Sequence, residues 1–300
     1  MFKKCCIIAN PIAGNRTDRQ DVFGFVAKRI GQSVADCILK FTRKRGDATD
    51  IAFRAVQDGS DLVVVIGGDG TINEAAAALV NTSVAMGIIP CGSGNGLARS
   101  LEIPLSVSGA CELIRAGAAK PIDVGKINER FFFLVAGVGF DAVVGKRFDD
   151  LEKRGALAYF CAGAKAFLRY QPVAVRLSFD GRTLEGEPFL VAIANGRQYG
   201  NNALIAPDAK LDDGLFDIAI IHRFTTWDAA VHLPKLFNGG IRDFPHAELY
   251  RSSSVCIERP QEGFVNIDGD ACWDGKQLKI TLLPKAINIV VPQNVASLVQ

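Results

Sequence analysis

The sequence predicts a two-domain protein in which a mostly parallel α/β sheet precedes an antiparallel β-sandwich. The first third of the chain alternates short β-branched runs with helical patterns, and near Ile122 this changes to runs bounded by hairpin-type turns. The 300 residues also exceed the size of a typical single domain. We expect an α/β domain over 1–121, a sandwich over 122–285, and a C-terminal segment, 286–300, that returns to the first domain.

Apolar runs of the first third are the predicted strands of the parallel sheet. The third run consists almost purely of Val and Ile, as a strand buried on both faces of a sheet requires. Apolar residues at helical spacing follow it, such as Ile72, Ala75 and Leu79. The predicted strands are Cys5 to Ala9, Val34 to Phe41, Leu62 to Ile66 and Val84 to Ile89.

The second part of the chain has the features of antiparallel sheet. Asp180-Gly181 and Asp274-Gly275 are hairpin turn signals, and apolar runs lie between and around them. Helical intervals interrupt these runs at Leu151 to Tyr170 and at Thr226 to Asn238. The predicted strands of the sandwich are Val173 to Phe179, Phe189 to Ala194, Leu215 to Ile221, Ser254 to Glu258 and Leu278 to Leu283.

Composition excludes several classes of protein. With 34 basic and 32 acidic residues the net charge is +2, which is too balanced for nucleic acid as a partner. The 8 cysteines include no Cys-x-x-Cys pair, so we expect buried free thiols in a reducing cytoplasm. The N-terminus lacks the apolar stretch of a signal peptide, and the most apolar window, Phe131 to Phe140, is shorter than the ~20 residues of a membrane-spanning helix. We therefore expect a cytoplasmic protein, with peripheral contact at the inner membrane surface left open.

A glycine-rich loop, Gly67-Gly68-Asp69-Gly70-Thr71, follows the third predicted strand, and a helix begins at once. Glycines let a ligand approach the backbone, and the amides at a helix N-terminus favour phosphate. Asp69 adds a carboxylate that can reach a Mg²⁺ ion bridging those phosphates. The alternative is a tight turn with a capping box, since Thr71 and Glu74 have the required spacing. We expect the box to form, but it explains neither the three glycines nor the acid.

A second loop, Gly92-Ser93-Gly94-Asn95-Gly96, follows the fourth predicted strand. Such a run is weak evidence alone. Two such loops after adjacent parallel strands lie at the same carboxyl edge of the sheet, where ligands bind. Asn10 and Gly14 follow the first strand at this edge and Thr42 follows the second. The sequence therefore predicts that these strand ends form one phosphate-binding site.

Two acidic loops lie in the predicted sandwich. Asp268 and Asp270 are two residues apart, so in an extended strand they would face the same side. Paired acids can share a metal or serve as a general base, yet Asp-Gly is also a common turn dipeptide, and the residues alone leave these readings equal. The segment from Lys210 to Leu215, which contains Asp213, is either a cation loop or a polar turn, with the turn favoured.

The order of these motifs resembles the diacylglycerol kinase catalytic-domain family, which includes bacterial lipid kinases and the sphingosine and ceramide kinases. The resemblance runs from about Ile7 to Leu283. It implies ATP- and Mg²⁺-dependent transfer of the γ-phosphoryl group to the hydroxyl of a lipid alcohol, with ATP in a cleft between the domains. The motifs that carry it are Asn10-Pro11-x-x-Gly14, Gly67 to Thr71, Gly92 to Arg99, Ile122 to Gly125, Gly139 to Asp141, Asp213 to Leu215 and Asp268 to Asp270.

The resemblance also implies roles for single residues. Asp270 matches the general base of the family, which is usually a glutamate, and because aspartate is one methylene shorter, Asp268 is the alternative. The backbone carbonyls of Lys210 and Leu215, with the Asp213 side chain, match a structural Mg²⁺ site of bacterial members. Gly96 stands where bacterial diacylglycerol kinases commonly have an aspartate, whereas sphingosine and ceramide kinases have a small residue. The expected ATP-binding residues are Asn10, Thr42, Gly67, Gly68, Asp69, Gly70, Thr71, Ile72, Asn73, Ser93 and Asn95.

An apolar cleft is expected to hold the lipid, lined from Phe131 to Phe140 and from Leu151 to Tyr170. Asp123 and Asp141 are candidates to meet the ammonium group of a sphingoid acceptor. A homodimer is compatible with the sequence. Two alternatives remain open, a kinase of a soluble substrate such as NAD and a non-catalytic, nucleotide-sensing lipid-binding protein.

Overall fold

The structure, a computed structural model, describes residues 2–14, 19–116, 118–143, 167, 170–200, 203–232, 235 and 239–293. It divides into two compact units. The first contains residues up to Val124 and those from Pro284 onward, and the second contains Gly125–Leu283. Within the described ranges, no helix combines the length and the apolar character needed to cross a bilayer.

The first unit has an α/β fold. Its strands are β1 Lys4–Ala9, β2 Asp36–Phe41, β3 Leu62–Gly67 and β4 Ala85–Pro90, and its helices are α1 Arg19–Gly31, α2 Asp47–Gln57, α3 Asp69–Leu79, α4 Gly96–Ser100 and α5 Val107–Ala116. The strands are parallel and run in the order β2-β1-β3-β4. Every residue of β3 and β4 is buried, which confirms the prediction for the Val- and Ile-rich run. Helix α1 packs beside α5, and α2 packs beside α3.

The second unit is antiparallel, which confirms the predicted fold class. Its six-stranded sheet has the order β14-β13-β10-β7-β16-β17, and a second sheet contains β18-β15-β8-β9. Strand β5 begins in the first unit and β18 ends there. The elements are β5 Ala118–Ile127, β6 Arg130–Phe132, β7 Val135–Gly139, β8 Val175–Phe179, β9 Arg182–Gly186, β10 Leu190–Ala194, β11 Gln198–Gly200, β12 Ala203–Leu204, β13 Phe216–Ile221, α6 Thr226–His232, a 3₁₀ turn Gly240–Asp243, β14 Ala247–Ser252, β15 Ser254–Glu258, β16 Gly263–Ile267, β17 Asp270–Asp274 and β18 Gln277–Val291.

Side-chain alternation along the strands divides the second unit into two apolar clusters. Val191 and Ile193 of β10 face the core between the two sheets, where Ile257 of the other sheet also lies. Ala192 and Ala194 of the same strand face the opposite side and join a second cluster. Strand β10 is therefore buried on both faces, which explains why its sequence is a continuous apolar run.

One of the two predicted hairpins is confirmed and the other is wrong. Asp180 and Gly181 have φ values of 47° and 73° and join β8 to β9, as a type I′ turn requires. Asp274-Gly275 instead lies between β17 and β18, which belong to different sheets. Arg259 donates to both carbonyls of this dipeptide, at 2.8 and 3.0 Å, and this contact replaces the cross-strand bonds of a hairpin.

The two predicted helical intervals of the second unit lie partly outside the described residues. Of Leu151 to Tyr170, the structure describes only Phe167 and Tyr170. The second interval is confirmed as a helix over Thr226–His232. Residues 294–300 of the predicted C-terminal segment also lie outside the described ranges.

Candidate functional site

Three loops at the carboxyl edge of the parallel sheet contact one another. The Asn10 N–H after β1 donates to the Ile66 carbonyl at 3.0 Å, and the Cys91 N–H after β4 donates to the Gly67 carbonyl at 2.8 Å. The Asn10 side chain also donates to the Thr71 hydroxyl, at 2.8 Å. Parallel strands bring these predicted residues together because their carboxyl ends share one edge.

Some glycines of these loops allow two backbones to pack together. A Cβ at Gly92 would lie 2.6 Å from the Cα of Gly68, closer than real Cβ atoms approach. A Cβ at Gly14, whose φ is +70°, would lie 2.2 Å from the Cys91 carbonyl oxygen. Packing between the loops therefore explains these three glycines without a ligand.

Gly70 has no such explanation. It is exposed, and a Cβ there would have no heavy atom within 4 Å among the described neighbours outside its own helical turn. Gly70 is the second residue of α3, where alanine would favour the helix more. The glycine therefore leaves room beside the helix N-terminus for a group that no described residue supplies.

The N-terminus of α3 presents backbone donors at the same place. Gly68 is its extended N-cap and forms no side-chain cap. In the part of the chain that the structure describes, the N–H groups of Asp69, Gly70 and Thr71 have no hydrogen-bond acceptor. Open amides at the positive end of a helix dipole form an anion site. The predicted capping box of Thr71 and Glu74 is wrong, because the helix begins two residues earlier and the Thr71 hydroxyl accepts from Asn10 instead.

Asp69 joins the two glycine-rich loops. Its Oδ2 accepts the Asn95 N–H at 2.8 Å, and its Oδ1 accepts the Gly96 N–H at 2.6 Å. A Cβ at Gly94 would lie 2.8 Å from Oδ2, so that glycine makes room for the carboxylate. An ionised carboxylate has about four lone-pair sites, so these two bonds leave capacity for a cation.

Several other residues expected to bind nucleotide form internal contacts. The Asn95 side chain bonds both the N–H and the carbonyl of Gly92, each at 2.9 Å. Ile72 is fully buried, so it can offer only its backbone. Thr42 is buried and its N–H donates to the Ala9 carbonyl at 3.0 Å. Ser93 lies exposed between the glycines of the second loop.

The acidic pair of the second unit lies at a hairpin turn. Asp268 and Gly269 have φ values of 50° and 97° and join β16 to β17. Of the two interpretations that the residues left equal, the turn is therefore the one that the structure supports, and Asp268 and Asp270 do not lie in one extended strand. The Asp268 carboxylate accepts the N–H groups of residues 133, 134 and 135, at 2.7 to 2.9 Å. Asp270 is exposed at the start of β17. The two acids therefore have different environments.

Arg259 fixes the open end of the same hairpin, a role that the sequence did not reveal. Its guanidinium donates to the carbonyls of Gly263 at 2.8 Å and Phe264 at 3.1 Å on β16, and to that of Asp274 on β17. Burial lowers the pKa of this guanidinium, and the carboxylate of Asp274 partly offsets that effect. No local sequence pattern around Arg259 predicts this role, because its acceptors are backbone carbonyls that come close to it only when the chain folds.

The predicted cation loop forms an ion-paired turn. The Leu215 N–H donates to Asp213 Oδ1 at 3.2 Å, and Arg251 pairs with the other oxygen of that carboxylate. Burial also raises the pKa of the neighbouring Asp217, and Arg251 partly offsets this. Among the described residues, no group of three or more His, Cys, Asp or Glu side chains is placed to hold a metal. A cation at Asp213 would have to compete with the guanidinium.

Asp123, proposed from the sequence to meet an ammonium group, is fully buried in the first unit. Its Oδ1 accepts the Lys285 N–H at 2.7 Å, and Lys285 has a φ of 52°. The carboxylate therefore stabilises an unusual backbone conformation.

An aromatic group forms around Phe189 in the second unit. Phe140 stacks on Phe189 with ring centroids 4.5 Å apart, and Phe167 and Tyr170 contact Phe189 at 5.4 Å each. Buried Asp141 lies next to this group, and burial together with that carboxylate raises the pKa of Tyr170 to about 12. Phe140 and Tyr170 come from the two separate segments that were predicted to line the lipid cleft, and their rings lie together.

Several known proteins that are similar to this chain carry the name diacylglycerol kinase. Residues 4–127 match the model of the diacylglycerol kinase catalytic domain, and residues 134–291 match that of the YegS C-terminal NAD kinase beta sandwich-like domain. A diacylglycerol kinase of Mycobacterium tuberculosis strain H37Rv is 29% identical over 300 residues, covering 97% of this chain and 96% of its own. One from Bacillus subtilis strain 168 is 28% identical over 276 residues, 90% of each chain. The crystal structure of a candidate diacylglycerol kinase from Bacillus anthracis has 25% identity and a TM-score of 0.81, covering 98% of this chain and 99% of its own.

Proposed function

The chain belongs to the diacylglycerol kinase catalytic-domain family, a family of lipid kinases, and we propose that it uses ATP and Mg²⁺ to phosphorylate the hydroxyl of a lipid alcohol. The observation that carries the proposal is the exposed Gly70 with open amides beside it at the N-terminus of α3. This arrangement suits a phosphate group, because backbone donors can approach it without a side chain between them.

The nucleotide phosphates are assigned to the N-terminal turn of α3 and the exposed loop around Ser93. Asn10 and Thr71 act as positioning residues because the hydrogen bond between their side chains joins two loops. Asn95 acts as a positioning residue because its side chain bonds Gly92 and so fixes its own loop. In this role the three side chains hold the loops in place, and no direct contact with ATP is assigned to them. Phosphoryl transfer depends mainly on such positioning and on neutralising charge.

Mg²⁺ would neutralise charge on the transferring phosphates when bound. Asp69 fits this role because its oxygens keep lone pairs beyond the two amides that they accept. The same carboxylate also holds the second loop against the helix, so its removal would affect both loop geometry and metal binding. The Mg²⁺ site at Lys210, Asp213 and Leu215 stays a prediction, to be tested against the ion pair with Arg251.

Asp270 is the better candidate for the general base. Both oxygens of Asp268 accept backbone amides of residues 133 to 135, so this carboxylate is engaged in holding that segment. Asp270 is exposed at the start of β17, and the Asp268 contacts fix the turn that precedes it. Asp268 is therefore assigned a positioning role.

The aliphatic part of the substrate is assigned to the aromatic group around Phe189. Rings of Phe140, Phe167 and Tyr170 offer an apolar surface in the second unit. A lipid substrate also requires peripheral contact with a membrane or micelle surface.

The proposal is tested by measuring transfer of γ-phosphate to lipid alcohols in mixed micelles with Asp270→Asn. A general base contributes about 10²–10⁴-fold in rate, so kcat should fall by about that factor while ATP binding is retained. Glu262→Gln, which changes another exposed carboxylate before the same hairpin, should leave kcat unchanged. Equal activity of Asp270→Asn and the parent protein would remove Asp270 from the mechanism, and nucleotide binding without any transfer would favour the nucleotide-sensing alternative.

A further inference from the structure

Two cysteines of the first unit lie side by side on neighbouring parallel strands. Cys5 of β1 and Cys37 of β2 are direct partners in the register of these strands. Neighbouring strands lie about 4.8 Å apart, and a disulfide joins residues whose Cα atoms are about 4.4–6.8 Å apart. Both thiols are free, as are the other cysteines that the structure describes. The strand pairing therefore holds two reduced thiols at a separation that a disulfide can span.

The two thiols also contact each other. Residues paired across parallel strands point to the same face of the sheet, and the Cys5 S–H donates to the Cys37 sulfur. This bond lowers the pKa of the Cys37 thiol, whereas the same bond and burial raise the pKa of Cys5. Cys37 is therefore the member of the pair that forms a thiolate more readily, and the thiolate is the reactive form of cysteine.

Cys37 is the more accessible member of the pair as well. Cys5 is 1% exposed, whereas Cys37 is half-buried on the strand that ends the order of the parallel sheet. Gly31, the last residue of α1, is exposed, and a Cβ there would lie 3.9 Å from the Cβ of Cys37. Because glycine carries no side chain, a small solute can approach Cys37 past the end of α1.

Cys6 does not share this environment, although it follows Cys5 in the sequence. Consecutive residues of a strand point to opposite faces of a sheet, so the Cys6 side chain lies on the other side of β1. Burial raises the pKa of Cys6 to about 11, which keeps this thiol protonated at neutral pH. The pair is therefore formed by Cys5 and Cys37.

We propose that Cys5 and Cys37 are a modification site at which hydrogen peroxide produces a reversible disulfide. The Cys37 thiolate attacks one peroxide oxygen, the O–O bond breaks, and hydroxide leaves, so that Cys37 becomes a sulfenic acid. The Cys5 sulfur then attacks the Cys37 sulfur, the S–O bond breaks, and the Cys5 proton leaves with the hydroxyl group as water. In total the two thiols lose two electrons and two protons, and one peroxide becomes two waters.

The disulfide closes a loop that contains all of α1. Cys5 is the second residue of β1 and Cys37 the second of β2, so the bond lies away from the carboxyl edge where the phosphate site is proposed. A crosslink stabilises a protein mainly by restricting its unfolded chain. The oxidised protein should therefore be more stable, and the modification is independent of the proposed catalytic residues.

The test is peptide mapping of the reduced, purified protein after exposure to hydrogen peroxide, with the remaining thiols blocked by N-ethylmaleimide. Trypsin releases Cys5 in peptide 5–16 and Cys37 in peptide 30–40. The expected product joins these two peptides, and dithiothreitol separates them. Peptide 5–16 also contains Cys6, so the assignment requires two variants. Cys6→Ala should retain the crosslink, and Cys37→Ser should lose it.

Thermal unfolding of the same samples gives a second readout. Peroxide should raise the melting temperature of the parent by about 5 °C, and dithiothreitol should reverse the rise. Cys37→Ser should show no rise, whereas Cys111→Ala, which removes another buried thiol of the first unit, should respond like the parent. Circular dichroism confirms that each variant folds.

Three results would overturn the proposal. The first is a folded parent in which peptides 5–16 and 30–40 stay separate, with Cys37 either unchanged or oxidised to a sulfinic acid. The second is a crosslink that disappears in Cys6→Ala, and the third is a bond from Cys37 to another cysteine or to a second chain.

Discussion

Replacing Gly70 by alanine separates a structural glycine from one that serves a ligand. A Cβ at this position meets no described neighbour, and α3 already has helical geometry there, so the fold can accept the methyl group. Alanine is favoured over glycine in a helix by about 0.5–1 kcal/mol, and the first turn should show the lower part of that range. Gly70→Ala should therefore leave the melting temperature unchanged or raise it slightly.

ATP binding should respond in the opposite direction. The added methyl group would lie between the open amides and the nucleotide phosphates and would lengthen their hydrogen bonds. A hydrogen bond to a charged group contributes about 1.5–3 kcal/mol, and about 1.4 kcal/mol corresponds to tenfold in affinity. Loss of one such bond predicts that the Kd for ATP rises about 10–100-fold.

The assay is isothermal titration with ATP, combined with thermal unfolding of the same samples. Gly24→Ala is the matched control, because Gly24 is an exposed interior residue of α1 whose added Cβ also meets no described atom. It should gain similar or greater stability with unchanged ATP affinity. A Gly70→Ala protein that is stabilised and still binds ATP like the parent would refute the assignment of phosphate to this helix end.

Three further substitutions test single carboxylates. Asp69→Asn should lower both thermal stability and activity, because an amide cannot accept both N–H groups that the carboxylate accepts, and activity loss in an unchanged fold would isolate the metal role. Asp213→Ala should lower the melting temperature by breaking the ion pair with Arg251. If the variant is destabilised equally at every Mg²⁺ concentration, the segment is a turn. If Mg²⁺ raises the melting temperature of the parent and not that of the variant, the segment is a cation site. Asp217→Asn tests the raised pKa of Asp217. Because the fold disfavours the charged carboxylate, the parent protein loses stability as the pH rises above 3.8, the ordinary pKa of an aspartate. In urea unfolding, the variant should therefore be more stable than the parent at pH 7 but not at acidic pH.

The elements of the first unit were predictable because local sequence determined them. A run of Val and Ile followed by apolar residues at helical spacing admits few alternatives, and β3 with α3 lie where that pattern places them. The start of α3 was missed because Gly68 caps it without a side-chain signal. The capping-box spacing of Thr71 and Glu74 is a local pattern that a contact from the distant residue Asn10 replaced.

The surroundings of Asp268 and Asp270 were less predictable, because their geometry depends on residues far apart in the sequence. Asp268 bonds to backbone amides about 135 positions earlier, and nothing near Asp268 shows that they are its partners. Arg259 and the Asp274-Gly275 segment contact each other for the same reason, so a turn-like dipeptide became a connection between sheets. The residue types named the candidate acids, whereas the different environments of Asp268 and Asp270 became visible only in the fold.

The most direct test of the proposed function is the identity of the acceptor that the purified protein phosphorylates with Mg²⁺ and ATP. Diacylglycerol, sphinganine, NAD and buffer alone would be compared at matched concentration, with the lipids in the same micelles and the products identified by mass spectrometry. The proposed function predicts a phosphorylated lipid alcohol in at least one lipid sample and no phosphorylated NAD. A preference for sphinganine over diacylglycerol would support the idea that Gly96, in place of an aspartate, is associated with a sphingoid acceptor. Phosphorylated NAD with no lipid product would contradict the central claim and identify a kinase of a soluble substrate.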